Sequence, residues 1–161
     1  MKSTIIREVL EKDNTALAAV IRRVLVDIGV PKVGTAYADP ELDYVYKTYL
    51  KEKAVYFVLE EKGIIIGGAG IAPLQGGEPT VCELQKMYFL EEARGKGLGE
   101  KMIDHCLDFA RKSGFELCYI ETLPYMKAAQ KLYIKKGFEY IDGPMGTTGH
   151  TSCNVWLTKK L

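Results

Sequence analysis

A group of glycines in the segment EEARGKGLGEKM has the residue types and spacing that point most directly to chemistry. Gly95, Gly97 and Gly99 permit a tight turn in which successive backbone N–H groups point inward. The apolar pattern that follows predicts a helix, and the N-terminus of that helix adds positive potential at the same point. Arg94 and Lys96 can add charge-assisted contacts to an anion. The segment therefore predicts a binding site for phosphate groups.

Different phosphate ligands compete for this turn. A Walker loop ends in Gly-Lys-Ser/Thr, whereas Gly99 is followed here by Glu-Lys, which excludes that loop. A dinucleotide site has one point in its favour, because Glu121 ends the next predicted strand 22 residues after Gly99. However, the glycines alternate as GxGxG rather than GxGxxG, and too few residues follow for the usual parallel sheet. A dinucleotide-binding domain and a turn without ligand remain the alternatives at this point.

The elements around the turn follow from apolar periodicity. The pattern predicts strands over Ile5–Val9, Ala54–Glu60, Ile64–Ala72, Thr80–Leu90 and Leu117–Glu121, and a final pair of strands between Gly137 and Leu157. It also predicts four helices. The first runs from Asp13 or Asn14 to Gly29, and the second begins at Asp39-Pro40 and carries Leu42, Val45, Tyr46, Tyr49 and Leu50 on its apolar stripe. The third runs from the glycine turn to Ser113-Gly114, and the fourth covers Lys127–Lys136. Glycines within the strand at 64–72 predict a close approach of another part of the chain. The fold class is α/β in the mixed, α+β sense.

Three blocks of the sequence, taken together, resemble the GNAT superfamily of acyl-CoA N-acyltransferases. RGKGLG matches that family's arginine/glutamine-x-x-glycine-x-glycine signature, and AAQKLYIKKGF is similar to its A-x-x-L-Y-x-x-x-G-F segment. Glu83 lies on a predicted strand eleven residues before Arg94, where many members carry a glutamate. The resemblance implies one domain over residues 1–161, with a mixed, mostly antiparallel central sheet, helices on both of its faces and a strand–helix–strand acyl-CoA-binding core.

By this resemblance, we expect an N-acetyltransferase that passes the acetyl group of acetyl-CoA to a primary amine by direct attack in a ternary complex. The resemblance also implies a cofactor site with two parts. The strand residues Met87, Tyr88 and Phe89 pair with the pantetheine arm. The backbone N–H groups of the following turn hold the pyrophosphate, and they belong to Arg94, Gly95, Lys96, Gly97, Leu98, Gly99 and Glu100. Met126 stands where many relatives carry an asparagine, so the sequence departs from the family pattern there. A non-catalytic acyl-CoA-binding module is the alternative.

Acyl transfer to an amine needs a base and an acid. A lysine-like ammonium must lose a proton before it attacks, which costs about 4.6 kcal/mol at pH 7, and Glu83 is the candidate base. Tyr133, the tyrosine of the second family block, is the candidate acid for the departing thiolate. The N–H of Met87 is the candidate donor to the thioester oxygen. Tyr37 and His150 are predicted contacts of the acceptor substrate.

Composition limits the other function classes. The sequence carries 22 basic and 21 acidic residues, a net charge of +1, which argues against a broad nucleic-acid surface. Its cysteines occur singly, so no spacing favours a zinc site and we expect no metal. No apolar run has the length of a signal peptide or a membrane span, and we expect a cytoplasmic protein without membrane contact. The expected partner is a small-molecule amine, and the family resemblance is compatible with a homodimer.

Overall fold

Seven strands form one sheet in the order β1-β2-β3-β4-β5-β7-β6. The structure is a computed structural model that describes residues 4–161. All neighbouring strands in it are antiparallel except β4 and β5, which confirms the predicted mixed, mostly antiparallel sheet. The strands are β1 (Thr4–Glu8), β2 (Val55–Glu61), β3 (Ile64–Pro73), β4 (Val81–Phe89), β5 (Leu117–Thr122), β6 (Glu139–Ile141) and β7 (Val155–Lys160). The last strand in the sequence, β7, lies between β5 and β6.

Helices cover both faces of the sheet, as predicted. The helices are α1 (Asn14–Asp27), α2 (Val45–Thr48), α3 (Leu98–Lys112) and α4 (Lys127–Lys135). On one face, Leu17 and Ile21 of α1 belong to a core that includes Val45 of α2. On the other face, Met102 of α3 and Tyr133 of α4 belong to a second core. The two cores place the strands β4 and β5 between helical layers.

The predicted second helix is wrong in its extent. A 3-10 turn covers Pro40–Asp43, and only the four residues of α2 follow it as α-helix. Tyr44 separates them with φ −132° and ψ 41°, outside the helical region. The side chain of Asn14, at the start of α1, accepts the N–H of Tyr46 at 3.0 Å and so fixes α2 against α1. Leu50, predicted on the apolar stripe, is 64% exposed.

Glycines in β3 make room for two tyrosine rings; the sequence predicted a close approach at these glycines, but not that side chains make it. A Cβ atom at Gly68 would lie 2.5 Å from the ring of Tyr56, and one at Gly70 would lie 2.9 Å from the ring of Tyr49. Because these positions lack side chains, both rings cross β3 and reach β4. The Tyr56 hydroxyl donates to the carbonyl of Lys86 at 2.8 Å, and the Tyr49 hydroxyl donates to Gln85 at 2.6 Å.

Candidate active site

Strands β4 and β5 separate partway along their length and leave an opening in the sheet. Their register pairs are Val81 with Leu117, Cys82 with Cys118 and Glu83 with Tyr119. Beyond Glu83, β4 continues to Phe89 without a partner on β5. The backbone of the second half of β4 therefore faces a gap instead of a neighbouring strand.

A groove of about 440 Å³ begins at this gap. Its walls come from the end of β4, the turn before α3, the start of α4 and one side of α1. The lining includes three of the predicted cofactor residues on β4 and six in the turn: Met87, Tyr88, Phe89, Arg94, Gly95, Gly97, Leu98, Gly99 and Glu100. Of the predicted cofactor residues, Lys96 is outside this lining. The groove brings together the strand and the turn that the sequence predicted as one binding site.

The glycine turn exposes backbone donors at the start of α3. Gly97 is the N-cap of α3 and has φ +73°, in the left-handed region that glycine adopts without strain. Within residues 4–161, the N–H groups of Gly95, Leu98 and Glu100 donate to no other backbone carbonyl. The first N–H groups of any helix lack an intrahelical acceptor, and they carry partial positive charge. This turn can hold an anionic group such as a pyrophosphate.

The charged side chains of the turn have partners of their own. The Arg94 guanidinium donates to the carbonyl of Phe89 at 3.1 Å, and the Lys96 ammonium lies 3.9 Å from a carboxylate oxygen of Glu61. The Glu100 carboxylate accepts from the ammonium of Lys135 at 2.8 Å, which ties α4 to α3 beside the groove. The backbone of the turn is therefore its main donor surface in this structure.

A bulge in β4 interrupts the ladder with β3. Gly70 pairs with Gln85 and Gly68 pairs with Tyr88, so Lys86 and Met87 have no register partner on β3. Lys86 has φ +50°, an uncommon conformation for a residue with a side chain. The hydrogen bond from Tyr56 to the Lys86 carbonyl holds this conformation. The bulge gives Met87 a backbone that is outside the ladders of both neighbouring strands.

Glu83 is a buried carboxylate at the apex of the gap. The residue is 6% exposed, and its Oε1 atom accepts from the Gln85 amide at 2.7 Å. The Gln85 amide oxygen in turn accepts from the Tyr49 hydroxyl. Burial, opposed by the Gln85 hydrogen bond and assisted by the charge of Glu121, raises the pKa of Glu83 to about 7. A carboxylate with this pKa can take and release a proton near neutral pH.

Tyr133 lies in the α3-side core. The residue is 5% exposed, and its ring centroid lies 6.0 Å from that of Phe138. Among the described residues, its hydroxyl makes no hydrogen bond, although it interacts electrostatically with the hydroxyl of Tyr88. Burial raises the pKa of Tyr133 well above its ordinary value, so the hydroxyl keeps its proton at neutral pH. Its ring is outside the lining of the groove, whose α4 wall comes from the first part of that helix.

His150 belongs to a charged cluster on the same side of the sheet as Glu83. Its Nε2 atom lies 2.9 Å from Oδ2 of Asp39, and its Nδ1 atom lies 3.8 Å from Oε1 of Glu121. The Lys86 ammonium, whose side chain is 6% exposed, lies 3.7 Å from the same Asp39 oxygen. The hydrogen bond that the Asp39 carboxylate accepts from the ring raises the pKa of His150. Burial acts to raise the pKa of Asp39, but His150 and Lys86 hold it below its ordinary value.

Tyr37, the other predicted acceptor contact, is near this cluster in sequence. It lies in the 3-10 turn Ala36–Ala38, directly before the segment that supplies Asp39. Its ring is half-buried, and the ammonium of Lys32 lies 5.3 Å from the ring centroid. No contact recorded for the described residues joins Tyr37 to Glu83 or His150, so its predicted role rests on position alone.

Several charged or polar members of the cluster were not singled out from the sequence. Gln85 had a signal, because side chains two residues apart on a strand share a face, and Glu83 was already a candidate. The local pattern marks Asp39 only as the start of a predicted helix and Glu121 only as the end of a predicted strand, and it does not mark Lys86 at all. Their partners are distant in the sequence, so no local spacing revealed them.

Cys153 lies beside the same cluster and is half-buried. Burial, together with the charges of the neighbouring carboxylates, Glu121 first, raises the pKa of its thiol to about 12. The thiol therefore stays protonated at neutral pH and is a poor nucleophile. Among residues 4–161, no group of three or more histidine, cysteine, aspartate or glutamate side chains is arranged to hold a metal ion.

Met126 stands at the N-cap of α4 and lines the groove. Its sulfur accepts from the Thr122 hydroxyl at 3.6 Å. The preceding turn is held instead by Gln130, whose amide donates to the carbonyls of Leu123 at 2.9 Å and Pro124 at 3.2 Å. At the departure from the family pattern, Met126 therefore gives the groove an apolar surface, and Gln130 fixes the turn.

A second cavity, of about 610 Å³, lies between α1 and the start of β3. Although it is larger, its buried charges already neutralise one another. Arg7 donates to Glu60 at 2.7 Å and to Asp13 at 2.8 Å. Neither the glycine turn nor the unpaired end of β4 borders it. The groove beside β4 is therefore the better candidate for the active site.

Comparison with known proteins decides the family. Residues 22–138 match the Acetyltransferase (GNAT) family, a span that contains β4, the glycine turn and α4. The chain belongs to the GNAT family of acetyltransferases. This confirms the resemblance inferred from the three sequence blocks, and it identifies the protein as an acyltransferase. The GNAT fold also replaces the dinucleotide-binding alternative.

Individual GNAT relatives agree over nearly the whole chain. The chain is 44% identical to the uncharacterized N-acetyltransferase YjgM of Escherichia coli, over 99% of this chain and 96% of that protein. An acetyltransferase of the GNAT family from Staphylococcus aureus Mu50 superposes with a TM-score of 0.88, at 20% identity and 99% coverage of both chains. The PaiA N-acetyltransferase of Thermoplasma acidophilum, in complex with coenzyme A, superposes with a TM-score of 0.72, at 17% identity and 99% coverage of both.

Within residues 4–161, no helix is both long and apolar enough to cross a bilayer.

Proposed function

We propose that the protein is a single-domain N-acetyltransferase that passes the acetyl group of acetyl-CoA to a primary amine of a small molecule, by direct attack in a ternary complex. The observation that carries the proposal is the position of Glu83. This buried carboxylate lies in the last register pair before β4 and β5 separate, on the same strand as Met87, Tyr88 and Phe89, which line the cofactor groove. Family membership supports the acetyltransferase activity, and the site geometry supports the finer assignment.

The cofactor assignment rests on the groove. A solved GNAT relative holds coenzyme A, and the groove here joins an exposed β4 backbone to a turn with free N–H donors. Gly95 and Gly97 leave open space where side chains would otherwise project, so the turn fits a diphosphate. When bound, acetyl-CoA supplies a thioester whose acetyl carbon the amine attacks. Met87, Tyr88 and Phe89 hold the arm, and Arg94 through Glu100 hold the phosphates.

Glu83 acts as the base in this proposal. The attacking nitrogen forms a bond to the acetyl carbon and loses one proton, which Glu83 takes directly or through water. The pKa of an alkylammonium is closer to a carboxylate pKa of about 7 than to the pKa of an ordinary glutamate. The proton transfer to Glu83 is therefore less uphill. The Gln85 amide keeps the carboxylate oriented through its hydrogen bond to Oε1.

Tyr133 acts as the acid and Met87 as the oxyanion donor. As the carbon–sulfur bond breaks, the departing sulfur receives the proton of the Tyr133 hydroxyl; burial keeps this hydroxyl protonated before transfer and also makes it a weaker acid. The bulge at Lys86 places the Met87 N–H outside the sheet ladder, so it can donate to the carbonyl oxygen as charge develops there. The products are an N-acetylated amine and coenzyme A.

The acceptor binds on the Glu83 side of the sheet, in this proposal beside His150 and Tyr37. Three carboxylates, Asp39, Glu83 and Glu121, face two cationic side chains there. The excess of acidic groups favours a cationic amine over an anionic acceptor. The proposal requires neither a metal ion nor a nucleic acid, and it accommodates a monomer or a homodimer.

A thiol-release assay tests the proposed function. Purified full-length protein is mixed with acetyl-CoA and a panel of amino acids, polyamines, aminoglycosides and short peptides, and coenzyme A thiol is measured. We expect turnover with at least one small amine and its loss in Glu83→Gln. Binding of acetyl-CoA by calorimetry without thiol release for any amine would replace this proposal by a non-catalytic acyl-CoA-binding module.

A further inference from the structure

The loop formed by residues 142–154 is fastened to two other parts of the chain near Glu83. His150 contacts Asp39 at 2.9 Å and Glu121 at 3.8 Å, and the Thr148 hydroxyl donates to the same Glu121 oxygen. Two residues after His150, the Ser152 N–H donates to the carbonyl of Gly34 at 3.1 Å. The loop therefore joins the segment 31–44 to the end of β5, and His150 contacts both.

The charges around His150 come from every element packed against it. Asp39 faces it from the segment 31–44 and Glu121 from β5, while β4 contributes Lys86 and Glu83. The Cys153 thiol of the same loop is protonated and adds no charge. Lys86 and Asp39 offset each other at 3.7 Å. The imidazole ring then lies beside Glu121, and Glu83 is the second acidic group that favours its charged form.

We propose that His150 is a positioning residue of the acceptor site, which joins Asp39 to Glu121 and places a positive charge near the Glu83 carboxylate. The inference rests on the proposed role of Glu83 as the base. His150 does not touch the reacting atoms in this scheme. It acts through Glu83, by favouring the charged form that accepts the proton, and through Asp39 and Glu121, by holding the walls of the acceptor site.

Two electrostatic relationships support this role. The hydrogen bond to Asp39 stabilises the imidazolium and raises the pKa of His150, which favours the charged form of the ring. That charge opposes the effects of burial and of Glu121 on Glu83. Removal of the charge therefore raises the pKa of Glu83 and reduces the fraction of ionised base at pH 7.

The test compares His150→Gln, which removes the charge, with His150→Lys, which keeps it, in the full-length protein. NMR titration of the Glu83 carboxyl carbon and of the His150 ring needs no turnover; the signals are assigned with Glu83→Gln and His105→Gln. We expect His150 to titrate above 6.5 in the wild type. We expect the Glu83 midpoint to rise by at least about half a pH unit in His150→Gln and to return most of the way in His150→Lys.

The kinetic readout is the pH profile of kcat with the best acceptor from the thiol-release panel. The acid limb of this profile should move to higher pH by the same amount in His150→Gln. The control variant His105→Gln should keep the wild-type affinity for coenzyme A and the wild-type unfolding temperature. If His150→Gln does not fold, Asp39→Asn replaces it, and it should lower the His150 midpoint. An unchanged Glu83 midpoint in a folded His150→Gln overturns the inference. If no amine is acetylated, the proposed function fails while the titrations still decide the role of His150.

Discussion

Glu83 lies opposite Tyr119 in the last register pair that joins β4 to β5. One residue therefore marks both the end of the paired sheet and the start of the gap that leads to the groove. Its carboxylate remains buried because Gln85, anchored by Tyr49, satisfies one of its oxygens. The same geometry that opens the sheet for a cofactor thus keeps an ionisable group in a low-dielectric environment, where its pKa is raised.

The rate should fall on the acid side of neutral pH. Because the pKa of Glu83 is about 7, a base at this position is mostly protonated at pH 6. Below the pKa, kcat should therefore drop about tenfold for each pH unit. Initial rates at saturating substrate between pH 5.5 and 9 check this. Glu83→Gln should lower kcat by about 10²–10⁴-fold at pH 8. An acid limb that persists unchanged in this variant would exclude Glu83 as its origin.

The same carboxylate should make stability depend on pH. The folded-state pKa of Glu83 lies above the unfolded value, so the folded protein binds more protons between about pH 4.5 and 7. Stability contributed by the protonated form is present below pH 4.5 and is lost as the pH rises through 7. Between pH 4.5 and pH 8 the wild type should thus lose about 1–3 kcal/mol of unfolding free energy that Glu83→Gln does not lose. Urea unfolding of both proteins at the two pH values measures the difference.

Tyr133→Phe should slow transfer much more than it weakens cofactor binding. The substitution removes the proton donor and keeps the ring that packs on Phe138, so we expect kcat to fall at least about tenfold with an unchanged Kd for coenzyme A. Tyr125→Phe is the matched control, because Tyr125 lines the groove but its hydroxyl makes only a 3.4 Å contact with Gly29. Equal kcat values for Tyr133→Phe and the wild type would remove Tyr133 from the mechanism.

Gly97→Ala should damage the phosphate turn without any steric overlap. No atom lies within 4 Å of a Cβ at this position, but φ +73° costs a residue with a side chain about 1–2 kcal/mol. Relief of that strain would rotate the N–H donors at the start of α3, and we expect the Kd for coenzyme A to rise at least about tenfold. Calorimetric titration provides the measurement. Gly143→Ala, also without a neighbour within 4 Å and without positive φ, should bind like the wild type.

Tyr56→Phe should loosen the β4 bulge. The variant loses the 2.8 Å hydrogen bond to the Lys86 carbonyl and leaves that buried acceptor without its tyrosine partner, at a cost of about 1–3 kcal/mol. Because the Met87 N–H follows directly, kcat should fall more than coenzyme A affinity. Denaturant unfolding and steady-state kinetics test the two effects. A variant with reduced stability but wild-type kcat would contradict the role of the bulge in placing the Met87 donor.

Much of this architecture could be predicted from local patterns. The short apolar runs of β2 and β3, the amphipathic face of α3 and the glycines before it are each visible within a short window of sequence. The turn at Gly97 was predictable because left-handed backbone at a helix start strongly favours glycine. Glu83 was predictable as a candidate through its spacing from Arg94 and the family resemblance. Its strongly raised pKa was not, because that depends on burial in the folded chain.

The remainder of the site depends on contacts between distant segments. Asp39 and His150 are 111 residues apart, and neither segment has a regular period that would predict their pairing. The interruption at Tyr44 likewise follows from the contact between Asn14 and Tyr46, although the apolar spacing alone favoured one longer helix. Lys86 reads as an ordinary strand lysine, and only the bulge directs its ammonium toward Asp39.

The insertion of β7 between β5 and β6 has a consequence for synthesis on the ribosome. Glu121 on β5 and Trp156 on β7 are register partners, so one edge of β5 lacks this neighbour until residues 155–160 have been made. An open strand edge invites pairing with other chains. We therefore expect truncation before Val155 to lower solubility, even though the groove residues are all retained.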